Sequence, residues 1–248
     1  MTKKKSDYKY IIIDEAQDYG MFHFAALKEI NNYSNFAIYG DLAQSIYSYR
    51  SIDSWDDVNN LVFDKKCEIL NLRKSYRTTM EITENANKIL EKINLNAATP
   101  VIRHGVDVSY ANEANNINFL ISKINEFKLK EYKTIAIICK EENEAKKLNK
   151  ILQKNGINSR YISNKDSEYS GGIFVLTSSS SKGLEFDAVI IKDASKDIYM
   201  SESDVDMHLL YVASTRALHE LEILYDNDIT SVYEDKIREN KVKTLKMN

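Results

Sequence analysis

Two hydrophobic periods alternate along this chain. Short continuous apolar runs, the mark of strands covered on both faces, lie at residues 10–13, 36–39, 68–72, 134–139, 172–177 and 188–191. Between them apolar positions recur at helical spacing over 21–31, 79–93, 115–127, 141–155 and 204–218. Gly156 stands where the fourth helix should end, and Thr78 or Thr79 is placed to cap the second. Strands alternating with helices predict an α/β fold, a parallel sheet with flanking helices. A seam falls near 76–79, where a strand gives way to a long helix, and the single proline, Pro100, marks a second break. The charged stretch 233–248 reads as a fraying tail.

Composition adds limits. The chain has 248 residues, enough for one or two domains with a sizeable core. With 43% hydrophobic and 29% charged residues it is an ordinary globular sequence. A formal charge of -3 means that any contact with nucleic acid must come from local patches. Cys67 and Cys139 are far apart beside apolar residues and read as reduced core thiols of a cytoplasmic protein. His23, His104, His208 and His219 lack ligand spacing, so no metal site built from protein side chains alone is expected. No run approaches signal-peptide or membrane-spanning length, which predicts no membrane partner.

Five segments carry chemistry. In the first, Tyr-Lys-Tyr-Ile-Ile-Ile-Asp-Glu-Ala-Gln-Asp at 8–18, an apolar strand stops on adjacent carboxylates. A parallel strand delivers its groups at its carboxyl edge, so Asp14 suits Mg²⁺ and Glu15 the activation of a water for phosphoryl transfer. In the second, Ala-Ile-Tyr-Gly-Asp-Leu-Ala-Gln-Ser-Ile-Tyr-Ser-Tyr-Arg at 37–50, Gln44 lies just past a strand end, within reach of a γ-phosphate. Tyr47, Tyr49 and Arg50 interleave aromatic and cationic groups as single-stranded nucleic acid requires, each stacked base being worth about 1–3 kcal/mol. Aromatic packing on the core is the plainer account of the same tyrosines.

The third segment, Leu-Arg-Lys-Ser-Tyr-Arg-Thr-Thr at 72–79, sets Tyr76 as a face for adenine beside Arg77 as an arginine finger. A fourth, Val-Leu-Thr-Ser-Ser-Ser-Ser-Lys-Gly-Leu-Glu-Phe-Asp at 175–187, leaves a strand through exposed hydroxyls that suit a phosphodiester backbone, Thr177 and Ser179 among them. It then reaches Gly183 and Glu185, the latter able to accept from ribose hydroxyls. The fifth, Leu-Leu-Tyr-Val-Ala-Ser-Thr-Arg-Ala at 209–217, fixes one helix face on the core and leaves Arg216 displayed as a second cation. Taken singly, each has an ordinary alternative: a solvated acidic turn, a basic strand end, a flexible serine loop, an exposed helix arginine.

In this order the five segments closely resemble the motifs of UvrD/Rep-type superfamily 1 DNA helicases, over about residues 8–225. The resemblance implies two RecA-like domains with ATP and Mg²⁺ in the cleft between them, and movement along single-stranded DNA, 3′ to 5′. By motif match it gives Asp14 the metal, Glu15 the attacking water, Gln44 the γ-phosphate, Tyr76 the adenine, Arg77 and Arg216 the finger roles, and Gly183 and Glu185 the nucleotide sugar. Tyr47, Tyr49, Arg50, Thr177 and Ser179 match strand-contacting positions. The expected division is 1–77 for the end of a first RecA-like domain, 78–232 for a complete second one, and 233–248 for the tail.

Departures from the family pattern qualify this. No Gly in the chain is followed by Lys, so the phosphate-cradling loop that precedes the first motif in the family is missing from these residues. Ser179 stands where the family usually carries His. About 100 residues separate Arg77 from Thr177, too few for the large insertion of UvrD and Rep, and the Thr-Arg-Ala-Leu-His run at 215–219 looks more like the HelD branch, some of whose members act on RNA polymerase. Two classes follow: the rear part of a helicase that is catalytic with a separate front half as partner, or a non-hydrolysing module that binds nucleic acid or RNA polymerase.

Overall fold

The computed structural model describes residues 8–31, 34–46, 51–163 and 170–238. Backbone contacts divide the chain into two compact units, Met1–Leu72 and Arg73–Asn248.

The first unit carries β1 (Tyr10–Ile13), α1 (Met21–Ile30), β2 (Asn35–Ile38) and α2 (Trp55–Leu61). The two strands pair in parallel, Tyr10 opposite Asn35 and Ile13 opposite Ile38. Side chains alternate across a strand, so Ile11 and Ile13 turn onto a core with Phe24, Val58, Val62 and Phe63. Tyr10 and Ile12 face the other way and are about 72–73% exposed. The sequence expectation of a strand covered on both faces therefore holds for one face of β1. Ser54 caps α2 by accepting from the Asp56 amide at 3.1 Å. Tyr47, Tyr49 and Arg50 lie outside the described residues.

The second unit contains β3 (Lys74–Ser75), α3 (Met80–Lys92), β4 (Thr99–Pro100), β5 (Ser109–Ala111), α4 (Ile117–Leu129), β6 (Thr134–Cys139), α5 (Glu142–Lys154), β7 (Ser159–Tyr161), β8 (Gly172–Thr177), β9 (Phe186–Ile191), α6 (Asp204–Ser214) and β10 (Ala217–Leu224). Six strands form a parallel sheet in the order β5-β10-β9-β6-β8-β7, and β3 pairs with β4 beside it. The central strands are almost wholly buried and rich in Ile and Val, as a sheet covered on both faces requires. Ile135, Ile137 and Cys139 pack with Val175 and Ile190 under Leu120, Phe127, Leu148 and Leu152 of α4 and α5. Alternation turns Ala136, Ile138 and Val189 to the opposite face, where α6 packs on β9 and α3 on α6.

Helix boundaries follow their caps. Thr79 accepts from the Ile82 amide to start α3, Asn116 from Asn118 and Phe119 to start α4, and Gly156 adopts φ +80° after α5. Two expectations fail. Residues 68–72 form no strand; Leu70 and Leu72 are exposed. The helix expected over 204–218 stops at Ser214 and β10 begins at Ala217. Glu220 and Glu222 disguise that strand as a polar stretch. Both are buried, and they are satisfied by Lys130 at 2.7 Å and Lys123 at 3.1 Å, with Ser109 also on Glu222.

Candidate functional site

In the first unit the acidic pair follows β1 directly, at the carboxyl edge. Glu15 adopts the left-handed region at φ 51°, a conformation a non-glycine residue holds only when its surroundings impose it. They do so here: the Ala16 amide donates to the Tyr39 carbonyl at 2.9 Å and the Tyr39 amide to the Ile13 carbonyl at 2.8 Å, which clamps the acidic turn to the exit of β2. Gln17, 1% exposed, then joins the two strand ends. Its Nε2 donates to Glu15 Oε2 at 2.6 Å, and its Oε1 accepts from the Asp41 amide at 3.0 Å. Asp41 in turn accepts from the Ala43 amide at 3.0 Å and from Gln44 Nε2 at 2.8 Å. One chain of hydrogen bonds thus runs Glu15, Gln17, Asp41, Gln44.

The Gly-Asp dipeptide at the end of β2 has a steric reason. A Cβ on Gly40 would sit 2.6 Å from Gln17 Oε1 and 2.7 Å from the Trp55 ring, so glycine lets the bridging amide and the indole approach together. Asp14 is exposed and accepts from the Glu15 amide at 2.9 Å through Oδ1. A single open carboxylate fits Mg²⁺ of a nucleotide, because that ion is held through one or two carboxylates with waters and phosphate oxygens completing its shell.

In the second unit the expected nucleotide residues gather at the amino edge of the sheet, just before β9 and β10. Arg77 Nε pairs with Glu185 Oε1 at 2.7 Å. Both are substantially exposed, so the pair itself contributes no more than about 1 kcal/mol. Tyr76 is 70% exposed beside them, and Gly183 takes φ +77°. Arg216 departs from expectation. Rather than being displayed it is 1% exposed, and its guanidinium donates to the Val212 carbonyl at 3.0 Å, the Leu184 carbonyl at 3.3 Å and Thr215 Oγ1 at 3.1 Å. A cation on the last carbonyls of a helix is favourable, and here it ties the end of α6 to the residue before Glu185.

The hydroxyl-rich segment sits at the other edge. Thr177 ends β8 level with Cys139, whereas Ala188, near the start of β9, lies level with Ile135, about 13 Å away along the strands. The hydroxyls expected to be exposed turn largely inward: Thr177 Oγ1 shares hydrogen bonds with Ser179 Oγ at 2.9 Å and Ser180 Oγ at 2.8 Å, and Ser178 Oγ with Tyr199 OH at 2.9 Å. Thr177, Ser178 and Ser181 are buried; Ser179 is half-buried. Burial pushes the Tyr199 phenol above its usual range.

Asp14, Glu15 and Gln44 belong to one unit and Arg77, Glu185 and Arg216 to the other; each set is assembled within its own unit. Sequence reasoning passed over Gln17 and Asp41, although both lie inside quoted motifs at strand exits. It also passed over Arg103, whose Nη1 donates to the Arg77 carbonyl at 2.7 Å from 26 residues away, a link that no local pattern signals.

Residues 1–55 match the family model of the UvrD/REP helicase N-terminal domain and residues 172–224 that of the UvrD-like helicase C-terminal domain. The chain is 27% identical over 165 residues to the ATP-dependent DNA helicase PcrA of Bacillus subtilis (strain 168), covering 61% of this chain and 22% of that protein. It is 28% identical over 145 residues to the ATP-dependent DNA helicase Rep of Buchnera aphidicola subsp. Acyrthosiphon pisum (strain APS), covering 56% and 18%. The chain therefore matches about a fifth of the length of these relatives. The crystal structure of the C-terminal domain of a possible DNA helicase from Lactobacillus plantarum WCFS1 superposes with a TM-score of 0.54 at 28% identity, over 64% of this chain and 92% of that one. The RecA-like α/β fold class is borne out; the HelD-like branch is not singled out.

Proposed function

From a chain that belongs to the UvrD/Rep type of superfamily 1 helicases, we propose a role as the rear part of an ATP-dependent motor moving 3′ to 5′ on single-stranded DNA. The observation that carries this reading is the hydrogen-bonded run from Glu15 through Gln17 and Asp41 to Gln44 at the carboxyl edge of adjacent parallel strands. It holds a carboxylate and an amide in fixed relation at the edge where α/β folds bind nucleotides. ATP, when bound, would supply the phosphoanhydride bond, with Asp14 holding its Mg²⁺. Glu15 would accept a proton from the attacking water at a carboxylate oxygen. Gln44 would orient that water or the terminal phosphate. Tyr76 would stack on the base, Gly183 and Glu185 would meet the sugar, and Arg77 would offset phosphate charge, while the buried Arg216 would hold the end of α6 against Leu184, next to Glu185. Thr177, Ser179 and the segment with Tyr47, Tyr49 and Arg50 would contact the strand.

No Gly-Lys pair occurs in the 248 residues, so this reading requires a phosphate cradle supplied by a segment other than these residues. Single-strand-stimulated ATP hydrolysis by the chain alone, and mixed with a separately expressed UvrD-type segment carrying that loop, tests the reading. No turnover is expected alone; turnover is expected in the mixture, and Glu15→Gln should abolish it. Turnover by the chain alone that Glu15→Gln removes would overturn the division of labour. The missing Gly-Lys pair also favours a second reading, a non-hydrolysing module for nucleic acid or RNA polymerase. A silent mixture that nevertheless binds one of these partners would select it.

A further inference from the structure

We propose that Arg103 is the positioning residue of Arg77 and that the neutral ring of His219 holds Arg103 in place. The proposal rests on the reading of Arg77 as a nucleotide-facing cation. Arg103 lines a cleft of about 460 Å³ in the second unit with His104, Tyr132, Lys133, Asp187 and His219. Its guanidinium uses two arms of its fork. Nη1 donates to the Arg77 carbonyl and Nη2 meets His219 Nδ1, each at 2.7 Å. The main chain of the same residue accepts from the Met80 amide at 2.9 Å. Arg103 therefore grips the turn that displays Arg77 at both ends, before Thr78 and at the first residue of α3.

Arginine has donors only, so His219 Nδ1 must be the acceptor and the ring proton must lie on Nε2. That nitrogen faces Asp187 Oδ1 at 3.8 Å. The ring is fixed by stacking on Tyr132, with centroids 6.0 Å apart and planes within 3°. Tyr132 OH donates to Glu220 Oε2 at 3.1 Å, and Lys130 holds Glu220 at 2.7 Å. Asp187 is immobilised through Oδ2 by the amides of Lys133 at 2.7 Å and Thr134 at 2.9 Å. The charged and titratable groups around the ring are thus Arg103, Asp187, Tyr132 and, at the cleft margin, Glu131, Lys133 and His104, with Glu220 and Lys130 behind Tyr132. Protonating His219 converts Nδ1 into a donor aimed at a donor. Asp187 favours the resulting cation but supplies no acceptor to Arg103, so the second arm lets go. A lysine at position 103 could not span both acceptors.

Hydrogen exchange of the full chain, read on the peptide over 76–82, tests this. Arg103→Ala should speed exchange there about tenfold. His219→Gln, whose Oε1 still accepts but does not titrate, should keep the protection. On acidification the parent should lose protection relative to His219→Gln compared at the same pH, because a proton on Nδ1 removes the acceptor that Arg103 uses. Identical pH profiles for these two would overturn the proposal, and they remain comparable if Arg103→Ala fails to fold. Unchanged exchange in a folded Arg103→Ala would also overturn it. If the exchange results hold while Arg77→Ala leaves the turnover of the reconstituted mixture intact, the contact stands and the nucleotide role of Arg77 falls.

Discussion

Replacing Gln17 with Met removes the bridge between the two strand exits while keeping side-chain length and burial. The Asp41 amide loses its acceptor in a part-buried setting, which costs about 1–3 kcal/mol. Glu15 loses a bond at 2.6 Å but is exposed and regains water, so that loss is nearer about 0.5–1 kcal/mol. Together the first unit should weaken by about 2–3 kcal/mol, which for a unit of this size corresponds to a fall of about 10–20 °C in midpoint. Trp55, the only tryptophan in the chain, lies in this unit close to Gly40, so its fluorescence during heating follows this unit. Gln17→Glu restores an acceptor but sets a second carboxylate against Glu15, and should fare no better than Gln17→Met. Gly40→Ala should act in the same direction by driving a methyl into the bridging amide. A Gln17→Met midpoint within about 2 °C of the parent would refute the claim that this amide organises the acidic turn.

Three further outcomes follow from the same structure. Cys139 is 1% exposed and burial pushes its thiol well above 9.0, so in the folded chain a disulfide reagent should modify Cys67 alone, with Cys139 reacting only on unfolding. For Glu81, burial opposes ionisation, but its own amide and that of Gly105, with His104 and Thr79, outweigh it and hold the carboxyl below 4.5. Its stabilisation is therefore complete above pH 4.5 and lost as pH falls through the lowered value; a carboxyl carbon titration with a midpoint above 4.5 would contradict this. Binding of single-stranded DNA, followed by anisotropy, should weaken steeply with added salt, since phosphate contacts release counterions. A salt-independent affinity would argue against backbone contacts.

Much of the sheet was legible because β6, β8 and β9 are buried on both faces and therefore read as unbroken apolar runs. β10 was not, because its glutamates are neutralised by lysines from α4 and its neighbourhood, a long-range fact. The run at 68–72 misled for the converse reason: apolar residues without a partner strand stay exposed. The acidic pair and the Gly-Asp turn were readable as motifs, but the amide of Gln17 that fastens one to the other depends on two strands lying side by side. Arg216 looked displayed because helical periodicity locates a side chain on a face without revealing which carbonyls lie beneath it.

Only eight residues, 178–185, lead from the end of β8 at one margin of the second unit to the start of β9 at the other. Fully stretched they would reach about 26–29 Å, but the Ser181 amide on the Thr177 carbonyl at 2.9 Å and the Leu184 amide on the Ser181 carbonyl at 3.0 Å fold much of that length into turns. Such a tether has little slack. A tug of a few ångströms on the serine turn would be felt at Glu185 and its ionic partner Arg77, so the two margins of this unit are mechanically geared by a single short span of backbone.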